Sequence, residues 1–320
     1  MRWGFLGAGG IARNSLAPAV RESRTAVLRA AAARDPARAR ALGAEVTHGD
    51  YAALLADPTV DVVYVALHNS AHREWTAKAL RAGKHVVCEK PMGLTAAEVA
   101  ELASEAAAAG KILVEACWNR WHPRTRALQR LLGEGALGTV REVRSGFRGG
   151  RPPEGDYRHD PALGGGALYD VGCYAIACAL LAFDWRLPAV RAARQELGPT
   201  GVDETTTAEL VFPDGIATIE SSLTGQQDEW FSAIGDKGSV ELSFPAFTGG
   251  AGQVEMIYRS ETGTRTEAYP PINPYTVMVD EVSAASRGRE AFLVGLGETA
   301  AVAEVIDSIR ASARRSAFSG

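Results

Sequence analysis

Three side chains of this chain have the types and the spacing for proton chemistry. Lys90 lies in the triplet Glu89-Lys90-Pro91, and Asp170 and Tyr174 stand four residues apart in an otherwise apolar segment. A phenol can accept the proton that an alcohol loses during hydride transfer, and an ammonium group stabilises the negative charge that develops on the oxygen. We therefore expect Tyr174 to act as an acid/base and Lys90 to assist it.

The ionisation of tyrosine limits this chemistry. Tyrosine titrates near pH 10, so work near pH 7 requires roughly three pH units, or about 4 kcal/mol, of stabilisation of the phenolate. The ammonium group of Lys90 has the correct sign to stabilise the phenolate, whereas the carboxylate of Asp170 opposes it. Asp170 is therefore expected to position the substrate or Lys90. Spacing alone also allows a second interpretation, a buried structural hydrogen bond between Asp170 and Tyr174.

The first residues of the chain have the form of a dinucleotide-binding turn. A short apolar strand, 2–6, precedes Gly7-Ala8-Gly9-Gly10-Ile11-Ala12, and a helical pattern follows at once. The first glycine permits a tight reversal, the second lets bare backbone approach a pyrophosphate, and Ala12 lets the helix pack on the strand. Unpaired N–H groups and the helix dipole would then bind the phosphates. The expected cofactor contacts in this turn are Gly7, Gly9, Gly10, Ile11 and Ala12.

Alternating strand and helix patterns in the first third of the chain predict a parallel sheet. The predicted strands are 2–6, 26–33, 45–47, 61–67, 84–88 and 112–117, and the predicted helices are 11–22, 36–42, 50–56, 71–82 and 95–109. This alternation is typical of an α/β, doubly wound Rossmann fold, whose ligands lie at the carboxyl ends of the strands.

The ends of these strands carry side chains that fit a nicotinamide dinucleotide. Arg34 at the end of the second strand favours the 2′-phosphate of NADP, although a solvated surface charge is the alternative, and Asp35 fits the cap of the next helix. We expect NADP as the preferred cofactor, with NAD as the alternative. His72 lies in the first turn of a helix, where packing is the simpler role. Further expected contacts to the cofactor are Leu67, Asn69, His72, Glu89 and Lys90.

From about residue 121 the pattern predicts a second domain, of the α+β class. Alternating runs near 139–147, 189–197, 204–212, 216–224, 230–234, 239–244, 253–259 and 264–269 predict a large, mostly antiparallel sheet with one open face. Helices are predicted at 124–132, at 164–183 and at 298–314. The predicted domains are therefore 1–120 for dinucleotide binding and 121–320 for substrate binding, with the last helix packing back on the first domain.

Charge and composition exclude several classes of protein. The 320 residues include 34 basic and 38 acidic side chains spread along the chain, a net charge of −4, which argues against a nucleic-acid partner. The four cysteines lack metal-ligand spacing, so we expect neither a metal nor a disulfide, and a reducing, cytoplasmic location. Because the first strand begins at residue 2 and no run of eighteen apolar residues is expected to cross a bilayer, neither a signal peptide nor a membrane helix is predicted.

Three motifs together identify a family resemblance. The Gly-x-Gly-x-x-Ala turn, the triplet Glu89-Lys90-Pro91 and the block from Gly164 to Tyr174, in this order and spacing, resemble the glucose-fructose oxidoreductase/inositol dehydrogenase/rhizopine-catabolism (Gfo/Idh/MocA) family over essentially the whole chain. Tyr174 and the segment Glu115-Ala116-Cys117-Trp118-Asn119-Arg120-Trp121-His122-Pro123 are most similar to the branch that contains dimeric dihydrodiol dehydrogenase, D-xylose dehydrogenase and glucose-fructose oxidoreductase.

This resemblance implies an NAD(P)-dependent oxidoreductase that acts on a sugar or another cyclic polyol or ketone. It implies a homodimer or higher homo-oligomer formed through the open face of the second sheet. Lys90 matches the catalytic lysine of the family, Tyr174 its acid/base and Asp170 its substrate-side aspartate. The residues that the resemblance places near the substrate are Trp118, Arg141, Phe147 and Tyr157.

Two positions depart from the family pattern. His68 stands where a proline usually precedes Asn69, which would reshape the loop at the nicotinamide. Ala33 stands where a serine often precedes Arg34, which removes one expected hydroxyl contact to a 2′-phosphate.

Other interpretations of function stay open at the level of sequence. Trp118, Trp121 and Phe147 could form the flat apolar pocket of a trans-dihydrodiol dehydrogenase, or they could stack on a sugar or fill a core. The fold could also serve a non-catalytic nucleotide-sensing protein. The arginine-containing loop 148–158 could meet an acidic or phosphorylated substrate, or it could be plain surface.

Overall fold

The structure, a computed structural model, describes residues 1–249 and 252–317 of the chain. The chain divides into two compact units, Met1–Trp121 with Asn273–Thr299, and His122–Ile272 with the residues from Ala300 onward. The predicted domains, 1–120 and 121–320, change at nearly the same residue. They do not include the return of Asn273–Thr299 to the first unit.

The first unit contains a six-stranded parallel sheet in the order β3-β2-β1-β4-β5-β6. Its strands are β1 (Arg2–Leu6), β2 (Val27–Ala32), β3 (Val46–His48), β4 (Val62–Val65), β5 (His85–Cys88) and β6 (Leu113–Glu115). The helices between them are α1 (Ala17–Glu22), α2 (Pro36–Arg40), α3 (Tyr51–Ala56), α4 (His72–Arg81) and α5 (Ala96–Ala109). All the strands predicted for this half are present. The central strands are continuous apolar runs because helices cover both faces of a doubly wound sheet.

Local sequence signals set the ends of these helices. Asp35 accepts a hydrogen bond from the N–H of Ala37 and so caps α2, with Pro36 in the first position of the helix. Thr95 caps α5 in the same way through the N–H of Glu98, and Gly110 ends that helix at a φ of 61°. A π-helical turn over Ala12–Leu16 precedes α1, a feature that the sequence did not predict.

The second unit contains an eight-stranded sheet in the order β14-β13-β12-β11-β7-β10-β9-β8. Its strands are β7 (Val140–Arg148), β8 (Ala189–Leu197), β9 (Asp203–Val211), β10 (Ile216–Ser222), β11 (Asp228–Gly235), β12 (Gly238–Leu242), β13 (Val254–Ser260) and β14 (Gly263–Tyr269). Its neighbouring strands are antiparallel except for β7 and β10. The predicted fold class, a Rossmann sheet followed by a mostly antiparallel sheet, is confirmed.

Two helices of the second unit are α6 (Pro123–Gly133), before β7, and α7 (Cys173–Ala182), after it. A π-helical turn, Leu168–Gly172, leads directly into α7, and every residue of α7 is buried. The expectation that no segment has the length and composition of a membrane helix is wrong for Pro161–Ala182, which passes that test. The 18-residue apolar window within that segment is buried inside the protein, and α7 packs across β7, β10 and β11 as a core helix.

The chain ends with α8 (Pro274–Ala285) and α9 (Leu296–Ala317). The sequence-based prediction contained α9 but omitted α8. Asn273 caps α8 through the N–H of Tyr275, and the helix packs on α1 and on a 3₁₀ turn at Trp118–Trp121. Trp3 donates its indole N–H to Ser283, so α8 is joined to the first strand of the sheet.

Candidate active site and cofactor site

The glycine turn lies where the sheet order reverses, between β1 and β4. Gly7 has a φ of 97°, and a Cβ there would lie 2.2 Å from the carbonyl oxygen of Ala66. Its N–H donates to the carbonyl of Ala32 at 2.9 Å, so this glycine is fixed by both neighbouring strands. Among the described residues, a Cβ on Gly9 or Gly10 would meet nothing within 4 Å beyond its own neighbours. The turn therefore leaves open space in front of bare backbone, which a pyrophosphate requires.

The end of β2 presents arginines to the same turn. Arg34 is exposed directly after the strand, and the carboxylate of Asp35 is committed to capping α2. Arg38, one helical turn later, donates from Nη2 to the carbonyl oxygen of Ala8 at 3.1 Å. The sequence analysis singled out Arg34 and missed Arg38, whose position depends on α2 folding back towards the glycine turn.

The loop after β4 keeps the shape that a proline would give it. His68 has a φ of −71°, the value that a proline ring imposes, and its ring is hydrogen bonded to the hydroxyl of Ser70 at 3.0 Å. His68 therefore has the φ angle that a proline would have at this position, so the expected reshaping of the loop is not seen in its backbone angle. Asn69 is buried and begins a 3₁₀ turn, Asn69–Ala71, while Leu67 is half-buried at the strand end.

Lys90 lies on a segment, Glu89–Met92, that buried polar groups hold in place. The carboxylate of Glu89 accepts from the hydroxyl of Tyr64 at 2.5 Å and from the backbone N–H of Lys90 at 3.3 Å. Burial and the charge of Glu89 hold the pKa of Tyr64 well above its ordinary value, so this phenol stays a donor. Lys90 itself is half-buried, and the Lys90–Pro91 peptide is cis.

Two further side chains hold the far end of the Glu89–Met92 segment. His72 contacts the carbonyl oxygens of Pro91 at 2.7 Å and Leu67 at 3.1 Å through its two ring nitrogens. Burial lowers the pKa of His72 to about 4, so the ring is neutral and donates to one of these two carbonyls. The carboxyl group of Glu115, at the end of β6, accepts from the N–H of Met92 at 2.8 Å. His72 thus links the loop after β4 to the loop that carries Lys90.

Trp118 lies in the first unit as part of an aromatic pair. Its ring stacks on Tyr275 of α8, with centroids 5.0 Å apart and an angle of 22° between the planes. Burial and the nearby charge of Glu89 raise the pKa of Tyr275 well above its ordinary value, while Ser15 on the turn before α1 hydrogen bonds to it. Tyr275 is a candidate site residue that the sequence analysis missed, because α8 was not predicted.

In the second unit, Asp170 lies in the π-helical turn and Tyr174 in the first turn of α7. Both side chains are buried, with exposed fractions of 8% and 4%. Four residues come close to one full turn in an α-helix or a π-helix, so both side chains remain on the same side of this helix. The tyrosine ring lies 5.6 Å from that of Phe147 on β7 and 6.3 Å from that of Phe247.

Phe247 is held against Tyr174 by two buried charges of opposite sign. Arg124 donates to the carbonyl oxygens of Pro245 and Ala246 at 2.6 and 2.7 Å, and burial lowers its pKa to about 10. Glu229 accepts from the N–H of Phe247 at 2.6 Å. A loop fixed by buried charges on both sides has one conformation available to it, because moving away would leave each charge unpaired. The sequence carried no signal for this contact.

The loop before the π-helical turn reaches Asp170 through an arginine. Arg158 donates from Nε to Asp170 at 2.8 Å, and its guanidinium lies over the ring of Tyr157 at 5.2 Å. Arg141, by contrast, lies at the other end of β7 from Phe147, exposed, and donates to the carbonyl of Asp214 at 3.1 Å. Six residues of strand separate the two, about 20 Å, so the structure groups Phe147, Tyr157, Asp170 and Tyr174 but not Arg141.

The first unit has the features of a nicotinamide-dinucleotide oxidoreductase. The open glycine backbone, the arginines after β2 and the half-buried lysine after β5 line one edge of a doubly wound sheet, and they fit the phosphates and the nicotinamide end of such a cofactor. The family model for an oxidoreductase family with an NAD-binding Rossmann fold matches residues 1–116, and the model for the GFO/IDH/MocA C-terminal domain matches 125–241. The chain belongs to the Gfo/Idh/MocA family of NAD(P)-dependent oxidoreductases.

Named relatives and solved structures agree with this assignment. The chain is 35% identical to D-xylose 1-dehydrogenase (NADP(+)) 2 of Haloferax volcanii, over 99% of this chain and 98% of that one. It is 34% identical to trans-1,2-dihydrobenzene-1,2-diol dehydrogenase of Bos taurus, over 82% and 78% of the two chains. The 3-ketoreductase KijD10 of Actinomadura kijaniata, solved with NADP and TDP-benzene, superposes with a TM-score of 0.88 at 26% identity, over 98% and 97%. These matches confirm the predicted family and branch, and an NAD(P) cofactor.

The two kinds of glycine in the turn lead to opposite expectations for substitution by alanine. Gly9→Ala should leave the free energy of unfolding within about 0.5 kcal/mol of wild type, but it should weaken NADP binding by tenfold or more, about 1.4 kcal/mol, because the added Cβ occupies the open space in front of the backbone. Gly7→Ala should destabilise the fold by about 2 kcal/mol or more, because of its positive φ and its contact with Ala66. Denaturant unfolding and calorimetric titration with NADP measure both effects. Wild-type affinity in Gly9→Ala would contradict the placement of the pyrophosphate.

Glu115 should make the stability of the fold fall as pH rises. Burial raises the pKa of Glu115 from its ordinary 4.5 to about 7. Between these values the unfolded chain has lost the proton and the folded protein still holds it, so each step up in pH disfavours folding. The predicted loss is about 3 kcal/mol between pH 4.5 and 7, and the contribution is then constant above that range.

Glu115→Gln tests this prediction because the amide oxygen can still accept from the N–H of Met92. The difference in unfolding free energy, variant minus wild type, should increase by about 3 kcal/mol as pH rises through this range. His72 contributes the opposite slope, since its pKa is lowered, but it is present in both proteins and cancels in the difference. Glu101→Gln, at an exposed carboxylate paired with Arg73, is the matched control and should show a small, flat difference. A flat difference for Glu115→Gln as well would refute the assignment.

Proposed function

We propose that this oxidoreductase interconverts a secondary hydroxyl and a carbonyl on a sugar or another cyclic polyol, with Tyr174 as the acid/base and Lys90 as its cationic partner. The observation that carries the proposal is the anchoring of Lys90. A side chain that was mere surface would not need Tyr64, His72 and Glu115 to fix the backbone around it. Such preorganisation is typical of a group whose position matters for chemistry.

The spacing of the two residues supports the same pairing. Solved structures of the 3-ketoreductase include one variant with a tyrosine replaced by phenylalanine and others with a lysine replaced. The lysine and the tyrosine replaced there are separated by the same number of residues as Lys90 and Tyr174.

Each residue of the proposed site has one task. The bound nicotinamide supplies hydride transfer to or from the substrate carbon. Tyr174 accepts the hydroxyl proton during oxidation and returns it during reduction, Lys90 stabilises the charge on the same oxygen, and Asp170 accepts a hydrogen bond from the substrate. Phe147 and Phe247 pack beside the ring of Tyr174 and exclude water from it.

The charges around the site favour an uncharged substrate. The three arginines of the loop 148–158 are all paired with carboxylates: Arg148 with Glu220 at 2.6 Å, Arg151 with Glu204 at 2.6 Å and Arg158 with Asp170 at 2.8 Å. An acidic or phosphorylated substrate would have to displace these partners. The arginines of this loop therefore support the family-level substrate, a neutral polyol, over an anionic one.

A trans-dihydrodiol dehydrogenase is the second candidate. The rings of Phe147 and Phe247 stack at 26° with centroids 5.9 Å apart beside Tyr174, and such a flat apolar surface suits a six-membered ring with adjacent hydroxyls. The same surface accepts the apolar face of a sugar. A panel of aldoses, cyclic polyols and trans-dihydrodiols, each assayed with NADP and with NAD, separates the two candidates.

Assembly and location complete the proposal. We propose a cytoplasmic homodimer or higher homo-oligomer formed through the uncovered face of the eight-stranded sheet. The exposed apolar side chains Leu197 and Ile234, on two strands of that sheet, support it.

Lys90→Met and Tyr174→Phe test the assigned chemistry. Each variant should bind NADP with an affinity close to that of wild type, while kcat for the best substrate of the panel falls by roughly 10²- to 10⁴-fold, the usual contribution of a general acid/base. Nicotinamide absorbance measures turnover, and fluorescence titration measures binding.

Matched controls are available for both variants. Tyr169→Phe removes a buried phenol that contacts Arg310 instead of the proposed site, and Lys78→Met removes an exposed ammonium paired with Glu74. Both should retain most of the activity. Full activity in Lys90→Met and Tyr174→Phe would end the proposal, whereas loss of NADP binding in either would show that its residue serves the cofactor.

Arg34→Leu tests the proposed preference for NADP. Loss of one charged hydrogen bond to a 2′-phosphate, about 1.5–3 kcal/mol, should weaken NADP binding by roughly 10- to 100-fold and leave NAD binding nearly unchanged. Arg40→Leu changes the same charge on the exposed side of α2 and is the control. An equal loss for both cofactors would assign Arg34 to a part that they share and not to the 2′-phosphate, and no effect on either would assign it to the surface.

A further inference from the structure

The backbone of Arg158 is packed against the segment that begins the helix of Asp170 and Tyr174. Its carbonyl oxygen accepts from the N–H of Gly166 at 3.0 Å, and a Cβ on Gly165 would lie 2.4 Å from that oxygen. Gly165 is therefore required here because the loop comes too close for a side chain. A Cβ on the next residue, Gly166, would lie 2.1 Å from Oδ1 of Asp203. The close approach of the Arg158 backbone places the guanidinium group of this residue beside Asp170, about one helical turn after Gly166.

The side chain of Arg158 bridges two carboxylates. Nε donates to Asp170 at 2.8 Å, and Nη1 contacts both oxygens of Asp156 at 3.1 and 3.2 Å. Burial alone would lower the pKa of Arg158, but the charges of Asp170, Tyr157 and Asp156 outweigh burial and raise it, so the group stays cationic. Asp170 is therefore a carboxylate with a permanent cation against one of its oxygens.

We propose that Arg158 is a positioning residue that neutralises Asp170 and thereby permits Tyr174, one helical turn away, to lose its proton. This inference rests on the proposed function, in which Tyr174 is the acid/base. It resolves the conflict that an unpaired carboxylate beside a phenol would oppose phenolate formation.

The neighbouring charges do not perform this task in place of Arg158. On α9, Arg310 donates to the hydroxyl of Tyr169, and on β9 the carboxyl group of Asp203 accepts from the N–H of Leu168 at 2.8 Å. Burial raises the pKa of Asp203. Phe147 and Phe247, the rings against Tyr174, carry no charge. Among the described residues of the second unit, the ionisable groups near the π-helical turn, Tyr174 and the loop of Phe247 include Arg124, Asp156, Tyr157, Arg158, Tyr169, Cys173, Asp203, Glu229 and Arg310.

Arg158→Met removes the cation and keeps the apolar stem. The pH profile of kcat for alcohol oxidation should move to higher pH by about one unit or more, so that activity near pH 7 falls at least tenfold and recovers as pH rises. Arg158→Lys should restore part of the shift. Arg151→Met, in the same loop and paired with Glu204, is the control and should leave the profile in place.

A double variant separates charge from structure. Adding Asp170→Asn to Arg158→Met removes both charges and should return the pH profile to the wild-type position, even if KM rises because Asp170 contacts substrate. A merely structural role for Arg158 predicts no such return. The phenolate of Tyr174, observed by ¹³C NMR of ring-labelled tyrosine and assigned with Tyr174→Phe, gives the same comparison in the cofactor-free protein.

The outcomes distinguish this inference from the proposed function. If Tyr174→Phe is inactive but the Arg158→Met profile and tyrosine resonance stay at the wild-type pH, the charge role of Arg158 is wrong and the proposed function stands. If Tyr174→Phe is fully active, the proposed function fails first. A profile that shifts in Arg158→Met and does not return in the double variant would also overturn the inference.

Discussion

Desolvation of polar groups at the ends of parallel strands is the constraint on which the proposed site depends. Glu89 and Glu115 end two neighbouring strands inside an apolar sheet, where an unpaired carboxyl group would cost several kcal/mol. Glu89 accepts hydrogen bonds from the hydroxyl of Tyr64 and from the N–H of Lys90, and Glu115 accepts one from the N–H of Met92. The same bonds that satisfy the buried groups therefore fix the backbone on either side of Lys90.

In the second unit, buried polar groups are also paired close to a proposed site residue, Asp170. The π-helical turn of this unit, the closely packed Gly165 and Gly166, and the buried Asp203 bring a loop, a strand and a helix within hydrogen-bonding distance next to Asp170. A π-helical turn leaves backbone groups offset from regular α-helical bonding, and such turns recur at functional sites. Within residues 1–249 and 252–317 each unit has one, directly after the glycine turn and directly before α7.

Periodicity in the sequence was enough to predict the sheets because alternation and burial are local properties. Every predicted strand is present. Lys90, Asp170 and Tyr174 were predicted as site residues from residue type and motif, and Phe147 from the family resemblance; their roles stay predictions. The contacts of Phe247, Tyr64 and Arg38 could not be predicted, since each depends on residues far apart in the chain. Helix α8 could have been predicted from the sequence. Its buried residues stand at helical spacing: Tyr275, Met278, Val279 and Val282.

The distribution of charge explains why an apolar helix can carry both an acid and a phenol. Asp170 is tolerated because Arg158 supplies the opposite charge from a loop, so the helix itself needs no cation and can remain buried along its length. Phe247 is likewise placed by Arg124 and Glu229, whose charges are compensated by backbone groups of the loop that carries it. Arg158, Arg124 and Glu229 thus lie around an aromatic cluster that includes Tyr174, and they are paired by a carboxylate or by backbone groups and not by the helix itself.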